Sequence, residues 1–437
     1  MEKKKDALAR TLSFWDLFSL GVASLIGTGI FVMTGIAAGP AGAGLFVAFI
    51  IAGLIAISTA LSYAELSSMY PAAGASYVYC KNAFSTLNQE FGNFISAVVG
   101  WTLMTQYAAV GAAVWLGFGL YAQFFFPQLP MNIWAIILGV LTTALLYRGM
   151  NISKGVINFF TVFKVVALLI FIGIGLFNPQ LPPPVQQVPF LPLGIGGLIA
   201  AAALIAFGQI HIDAVTTCAE EAIDPRKDVP RATVYSIALV VALYSLVGWV
   251  IVTLVPASTL PTLKAPLAAA LEAVTSGWAP NFIAVAGIAA TITSGIGCMI
   301  GGPRVGLAMA REGQLWSAFG KVHSQFKSPS MATVFCGIFA IALCVTGNLA
   351  LVASAGVFTA LVVFILVNGS VIILRFTQKD AHRNFTIPLG ILIPLLSIIG
   401  IVVEISFLNP KAIMWGTLWM LSGVVIYFLF RKNTKVN

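Results

Sequence analysis

Charge is what this sequence lacks most. Only 8% of its 437 residues are Asp, Glu, Lys or Arg, against about 25% in soluble domains. With 59% hydrophobic residues and a mean hydropathy of +0.99, the chain is an integral membrane protein, and a secreted soluble product is excluded. The first apolar segment has no small-residue cleavage site before further segments follow, so it is a retained helix and not a signal peptide. Histidine is scarce, with three residues, which argues against a His-based metal site. The five cysteines, Cys80, Cys218, Cys298, Cys336 and Cys344, are spaced neither as a disulfide framework nor as a metal site. They are expected to be free thiols. No apolar segment carries a His/Asp/Glu cluster or a Ser–His pair with a third partner, so a membrane enzyme is disfavoured. No cofactor, catalytic residue or metal ligand is expected. A channel is disfavoured too, because neither a filter repeat nor a voltage-sensing arginine series is present.

What the chain does have is apolar length. A helix needs about 20 apolar residues to cross the hydrocarbon core. Twelve such windows occur, near 15–37, 43–66, 92–121, 131–147, 155–177, 194–219, 233–255, 280–308, 331–346, 351–374, 388–407 and 412–430. With the N-terminus inside, 20 of the 23 Lys and Arg fall in cytoplasmic segments and two, Lys264 and Lys411, in outer loops. That asymmetry places both termini in the cytoplasm and supports an even number of spans. It also accounts for the net charge of +9 without nucleic acid as a partner. The outer stretch near 178–193 is proline-rich and reads as an extended connector.

Three features interrupt the apolar pattern. In span one, Gly27-Thr28-Gly29 lies at mid-segment, with Gly21 before it. Such glycines serve either close helix packing or a break whose freed backbone lines a polar site. The stretch alone fits both. Span six runs Phe207-Gly208-Gln209-Ile210-His211-Ile212-Asp213, three polar side chains within five residues. Such residues at mid-depth mark a site or a pathway. The two interrupted spans are five helices apart, so the second set of five would run inverted to the first. Interrupted helices in corresponding positions of inverted halves point to a transporter's binding site. The third feature is Lys164, nine residues into span five, hence about 14 Å deep. A lysine there needs acceptors, which carbonyls freed by a break in span one would supply. Such a lysine can load and unload a proton during a transport cycle.

Four motifs, in order, carry a family resemblance across all twelve spans. They are Gly21 to Phe31; Tyr63-Ala-Glu65-Leu with Tyr70-Pro71-Ala-Ala-Gly74-Ala-Ser76-Tyr77; Ala219-Glu220-Glu221 through Pro225-Arg226 to Pro230-Arg231-Ala; and Gly302-Pro303-Arg304 with Ala308-Met-Ala310-Arg311-Glu-Gly313. The chain resembles the amino acid–polyamine–organocation superfamily of transporters. The resemblance implies an all-α integral membrane fold of 12 transmembrane helices. It is a five-plus-five inverted repeat of the LeuT type, with helices 1 and 6 broken and two further C-terminal helices. The whole of 1–437 is then one polytopic membrane domain, with repeats at 15–177 and 194–374 and trailing helices at 388–430.

The resemblance also implies a site. Backbone N–H groups of Thr28 and Gly29, with Gly27 giving the turn, would hold a substrate carboxylate, as freed amides at a half-helix terminus favour an anion. Carbonyls of Leu25, Phe207 and Ile210 would hold the ammonium, and Phe207 would cover it as a gate. Lys164 matches a lysine standing where sodium-coupled relatives bind an ion, which implies proton coupling or ion-independent exchange. His211 departs from the family, which usually has a small residue there. It is either a satisfied neutral histidine or a side chain that shapes the pocket. Asp213 is either structural or a proton sensor, and Met104 and Tyr107 either line the cavity or pack. Glu65 and Arg231 are expected at solvated or inner-gate ion pairs, and Glu404, outside the repeat, at a subunit contact.

The function expected is secondary active transport of amino acids across the cytoplasmic membrane by alternating access. Its partners are an amino acid, protons and the lipid bilayer, and monomer and homodimer are both compatible. Neutral substrates are favoured. Cationic amino acids or polyamines, substrate/product exchange, and a non-transporting sensor are the alternatives.

Overall fold

The computed structural model describes residues 10–72, 74–149, 153–177, 189–275 and 277–430, with only the backbone of 153, 154 and 156. Lys3, Lys4, Lys5, the side chain of Lys154, most of the proline-rich stretch, and Arg431, Lys432 and Lys435 lie outside the described residues.

The first apolar window is not one helix. Helix α1 (Phe14–Leu25) starts at Ser13, whose side chain accepts from the Asp16 amide while the Asp16 carboxylate accepts from the Ser13 amide. This is a capping box, satisfying two otherwise orphan N–H groups. Helix α1 stops at Ile26, which is extended. The chain resumes as a π-helical turn (Gly29–Met33) that leads into α2 (Thr34–Ala41). Gly42, with φ 60°, starts the short turn into α3 (Leu45–Met69). Next come α4 (Ser76–Ser85), α5 (Gln89–Phe125), α6 (Met131–Tyr147) and α7 (Ser153–Leu176).

The sixth window is broken as well. Helix α8 (Gly194–Ile205) gives way to two 3-10 turns, Ala206–Gly208 and Ile210–Asp213, before the single turn α9 (Ala214–Thr217). Then follow α10 (Pro225–Leu254), α11 (Pro266–Glu272), α12 (Trp278–Arg311), α13 (Ser330–Val345), α14 (Leu349–Thr377), α15 (Leu392–Ser406) and α16 (Pro410–Phe430).

Among the described residues, eight helical segments, Phe14–Met69 counted as one, are long and apolar enough to cross a membrane; α6, α13 and α15 are shorter apolar helices. Large apolar side chains such as Leu54, Leu141, Ile338, Val402 and Leu421 face outward and exposed, the surface expected of a bundle solvated by lipid. Inside, α5 packs most extensively on α12, and α3 on α10; α1 packs on the broken segment 206–217 through α9 and the second 3-10 turn.

Two elements were not anticipated from hydropathy. Helices α4 and α11 are short and lie between apolar windows. Helix α10 begins at Pro225, well before the apolar window at 233, because its first two turns are charged. A window tuned to apolar content reads only the membrane-length part of a helix.

The end of the bundle where the chain begins is tied by ion pairs. Glu65 is buried between Arg375 and Arg383 and also accepts from the Ile387 amide at 2.9 Å. Arg304 donates to Glu221 at 2.8 and 2.6 Å and to the Ile300 carbonyl at 2.9 Å. The N-terminal segment adds a short bridge: the Thr11 and Leu12 amides donate to the Glu221 carbonyl, and the Ile223 amide to the Leu12 carbonyl, each at 2.9 Å. Arg231 is exposed. Glu404 corrects an expectation: it is 1% exposed within the single chain, on a helix that packs against α14, α3 and α8, so it is no surface acid waiting for a second subunit.

Candidate functional site at the two broken helices

The break after α1 frees four consecutive carbonyls. In a continuous helix, Ala23, Ser24, Leu25 and Ile26 would accept from the amides of Gly27, Thr28, Gly29 and Ile30. Here Ile30 N–H donates to the Gly27 carbonyl at 3.2 Å, as does Phe31 N–H. Side chains of three other helices take the freed carbonyls. Lys164 of α7 donates to Ala23 and Ile26, both at 2.8 Å. Ser294 of α12 donates to Ser24 at 3.1 Å, and Tyr244 of α10 to Leu25 at 2.7 Å. The third proton of the Lys164 ammonium points to Thr293 Oγ1 at 3.2 Å. An ammonium has three donors, and all three are used although the residue is 0% exposed.

The glycines of the break are required by space. A side chain on Gly27 would run into Ser294, and one on Gly29 into the Cα of Gly208. The two breaks therefore meet backbone to backbone at Gly29 and Gly208. Between them and α5, Thr28 is fully buried and its hydroxyl donates to the Val114 carbonyl at 3.3 Å.

The second break is held differently. Gln209 joins the two 3-10 turns with φ −125° and ψ −5°, and His211 is non-helical at φ −93°, ψ 31°. Phe207, Ile210, His211 and Asp213 are all buried. His211 Nδ1 lies 3.7 Å from Cys298 Sγ of α12, and its ring centroid is 5.3 Å from that of Tyr107. Tyr107 lies over Gly301, where a side chain would strike the ring. Asp213 lies within electrostatic reach of Tyr107, Tyr63, Tyr79 and Cys298. Gln209 Nε2 and Oε1 and His211 Nε2 are buried with no partner among the described residues, while the Tyr107 hydroxyl and the Asp213 carboxyl interact with each other.

The structure thus brings Leu25, Gly27, Thr28, Gly29, Lys164, Phe207, Ile210, His211, Asp213 and Tyr107 to the two breaks and the helices against them. Met104 is not among them. It packs in the seam between α5 and α12, with Sδ against Gly306 and its carbonyl near Cys336 Sγ. Sequence reasoning missed Tyr244, Thr293, Ser294 and Cys298, and passed over Gln209 as a site residue. Thr293 and Ser294, a polar pair at the centre of an apolar window, were a usable signal. Tyr244 and Cys298 gave none, since either residue also belongs in a packed core.

Comparison with known proteins adds an independent finding. A family model described as amino acid permease matches residues 12–430. The branched-chain amino acid permease BcaP of Bacillus subtilis is 32% identical, over 99% of this chain and 95% of that protein. The methylthioribose transporter of the same organism is 32% identical, over 100% and 96%. The vacuolar cationic amino acid transporter 2 of Arabidopsis thaliana is 30% identical over 85% of this chain and 61% of its own length.

Proposed function

The chain belongs to the amino acid permease family, and from that premise we propose that it is a secondary active transporter of neutral amino acids, coupled to protons and independent of sodium. It is a multi-pass membrane protein of an amino acid permease family, not an enzyme. The single observation that carries the coupling is Lys164. Its ammonium spans the two carbonyls freed at the first break, at 2.8 Å each. A cation already held there is a poor neighbour for Na⁺. Removing a proton from that nitrogen takes away its charge and one of its three N–H donors, and so weakens the tie between α7 and the broken helix. The substrate carboxylate is held by the amides of Thr28 and Gly29, where a half-helix begins and the backbone dipole favours negative charge. Carbonyls of the second break, those of Phe207 and Ile210, take the ammonium. The Leu25 carbonyl, already bonded to Tyr244, contributes only its second lone pair.

The proposed architecture is twelve spans in two inverted sets of five, 15–177 and 194–374, with 388–430 trailing. The pairing of α3 with α10, α5 with α12, and α1 with the segment 206–217 supports it, because each joins one window to the window five places on. The ion-paired end faces the cytoplasm, a reading that the distribution of Lys and Arg supports. Alternating access is then a rocking of the broken helices and their partners against the remaining spans.

Uptake into proteoliposomes with and without an imposed pH gradient tests this. The gradient should accelerate uptake in the wild type and leave Lys164→Ala unaffected. A gradient response retained by that variant would refute the role of Lys164. Cationic substrates are a second reading, supported by the cationic relative. Competition by lysine or a polyamine against a neutral amino acid decides between the two.

A further inference from the structure

Buried polar side chains without partners are few in a folded protein, and each one needs an explanation. Among the described residues, three such atoms belong to Gln209 and His211, both at the second break. The Tyr107 ring faces His211, and its hydroxyl interacts with the Asp213 carboxyl. Gln209 is the extreme case. Both ends of its amide are unpaired, and the residue is 2% exposed. It follows Gly208, the residue whose backbone touches Gly29. The Gln209 backbone therefore adjoins the place where the two breaks meet. His211 has one ring nitrogen beside the Cys298 thiol and the other unpaired.

We propose that Gln209 and His211 form a side-chain subsite for amino acids whose own side chain is uncharged and carries a hydroxyl or carboxamide, such as serine, threonine, asparagine and glutamine. This rests on the reading of the two breaks as the substrate site. A carboxamide or hydroxyl both donates and accepts, as the Gln209 amide requires on its two ends. A branched aliphatic side chain would leave those groups buried and unpaired. Sites built to hydrogen-bond a substrate group reject analogues that lack it far more strongly than apolar pockets reject an extra methylene. The acid of the cluster does not call for a cationic ligand. Asp213 is set among the phenols of Tyr107, Tyr63 and Tyr79, and the residue that follows Gly208 at the contact of the two breaks is the uncharged Gln209.

The test is a binding series on the purified full-length transporter, with the wild type and Gln209→Met, which keeps an unbranched chain of similar length. Serine, threonine, asparagine, glutamine, valine, leucine, lysine and glycine are the probes. The wild type should bind the best polar neutral amino acid at least roughly tenfold tighter than valine or leucine. In Gln209→Met that ratio should collapse to within about threefold, while glycine binding stays measurable and the variant elutes as a single species. A wild type that prefers valine, leucine or lysine overturns the subsite. So does a ratio unchanged in Gln209→Met. A wild type that binds none of the probes, glycine included, overturns the reading of the two breaks as an amino acid site.

Discussion

The two broken helices are a matched pair in position and opposites in how they are satisfied. At the first, four carbonyls lose their helical partners, and side chains of α7, α10 and α12 replace them. At the second, the polar side chains of Gln209 and His211 lack partners for part or all of their hydrogen-bonding capacity. Orphan backbone groups inside a membrane are costly and must be met by protein. A first break closed on its carbonyl side by fixed donors is generic, and its free amides suit the carboxylate that all amino acids share. A second break with unspent hydrogen bonds is suited to the part of the substrate that differs.

That contrast can be broken in order of expected effect. Gly29→Val places a branched side chain against the Gly208 backbone, where the two breaks touch, so uptake of every amino acid should fall to background while membrane insertion persists. Normal uptake would return Gly27-Thr28-Gly29 to a mere packing ridge. Lys164→Ala unpairs two carbonyls at once. It should remove the pH-gradient response and lower the melting temperature of the purified protein, because a buried acceptor left unpaired costs about 1–3 kcal/mol. An unchanged melting temperature would mean that water restores both bonds. Tyr244→Phe unpairs one carbonyl, that of Leu25, and should weaken binding of glycine, serine and leucine by one common factor, roughly fivefold to tenfold, corresponding to about 1–1.4 kcal/mol. A change in their order would move Tyr244 into the subsite that discriminates side chains. Ser294→Ala removes a longer bond, 3.1 Å to the Ser24 carbonyl, and should have the smallest effect, about threefold, again equal for all three substrates.

Much of this was legible in the residues. The Gly-Thr-Gly run and the polar cluster of span six mark both interruptions, because glycine and ionisable side chains are hard to justify in a plain apolar helix. Lys164 reads as buried by depth alone, and carbonyls freed from span one were the acceptors expected for it. Thr293 and Ser294 could have been noticed as a polar pair in an apolar window, but Tyr244 and Cys298 were not legible. Each of those two fits an ordinary core, and what makes it part of the site is distance across the fold. Met104 was left open between cavity and packing: its spacing from Tyr107 suits one helix face, and the glycines of α12 draw its side chain into a seam. Glu404 was misread because an acid in a trailing helix gives no sign of which neighbours enclose it.

By itself the sequence determined that the chain lives in a membrane, where its helices stop being regular, and which cation sits at mid-depth, since hydropathy and backbone freedom are local properties. Tertiary structure alone decided which groups close the first break and which side chains of the second are left unpaired. A hydrogen bond needs its partner within about 3 Å. For Leu25 that partner is Tyr244, 219 residues away along the chain, and only the packing of α10 against α1 brings it there.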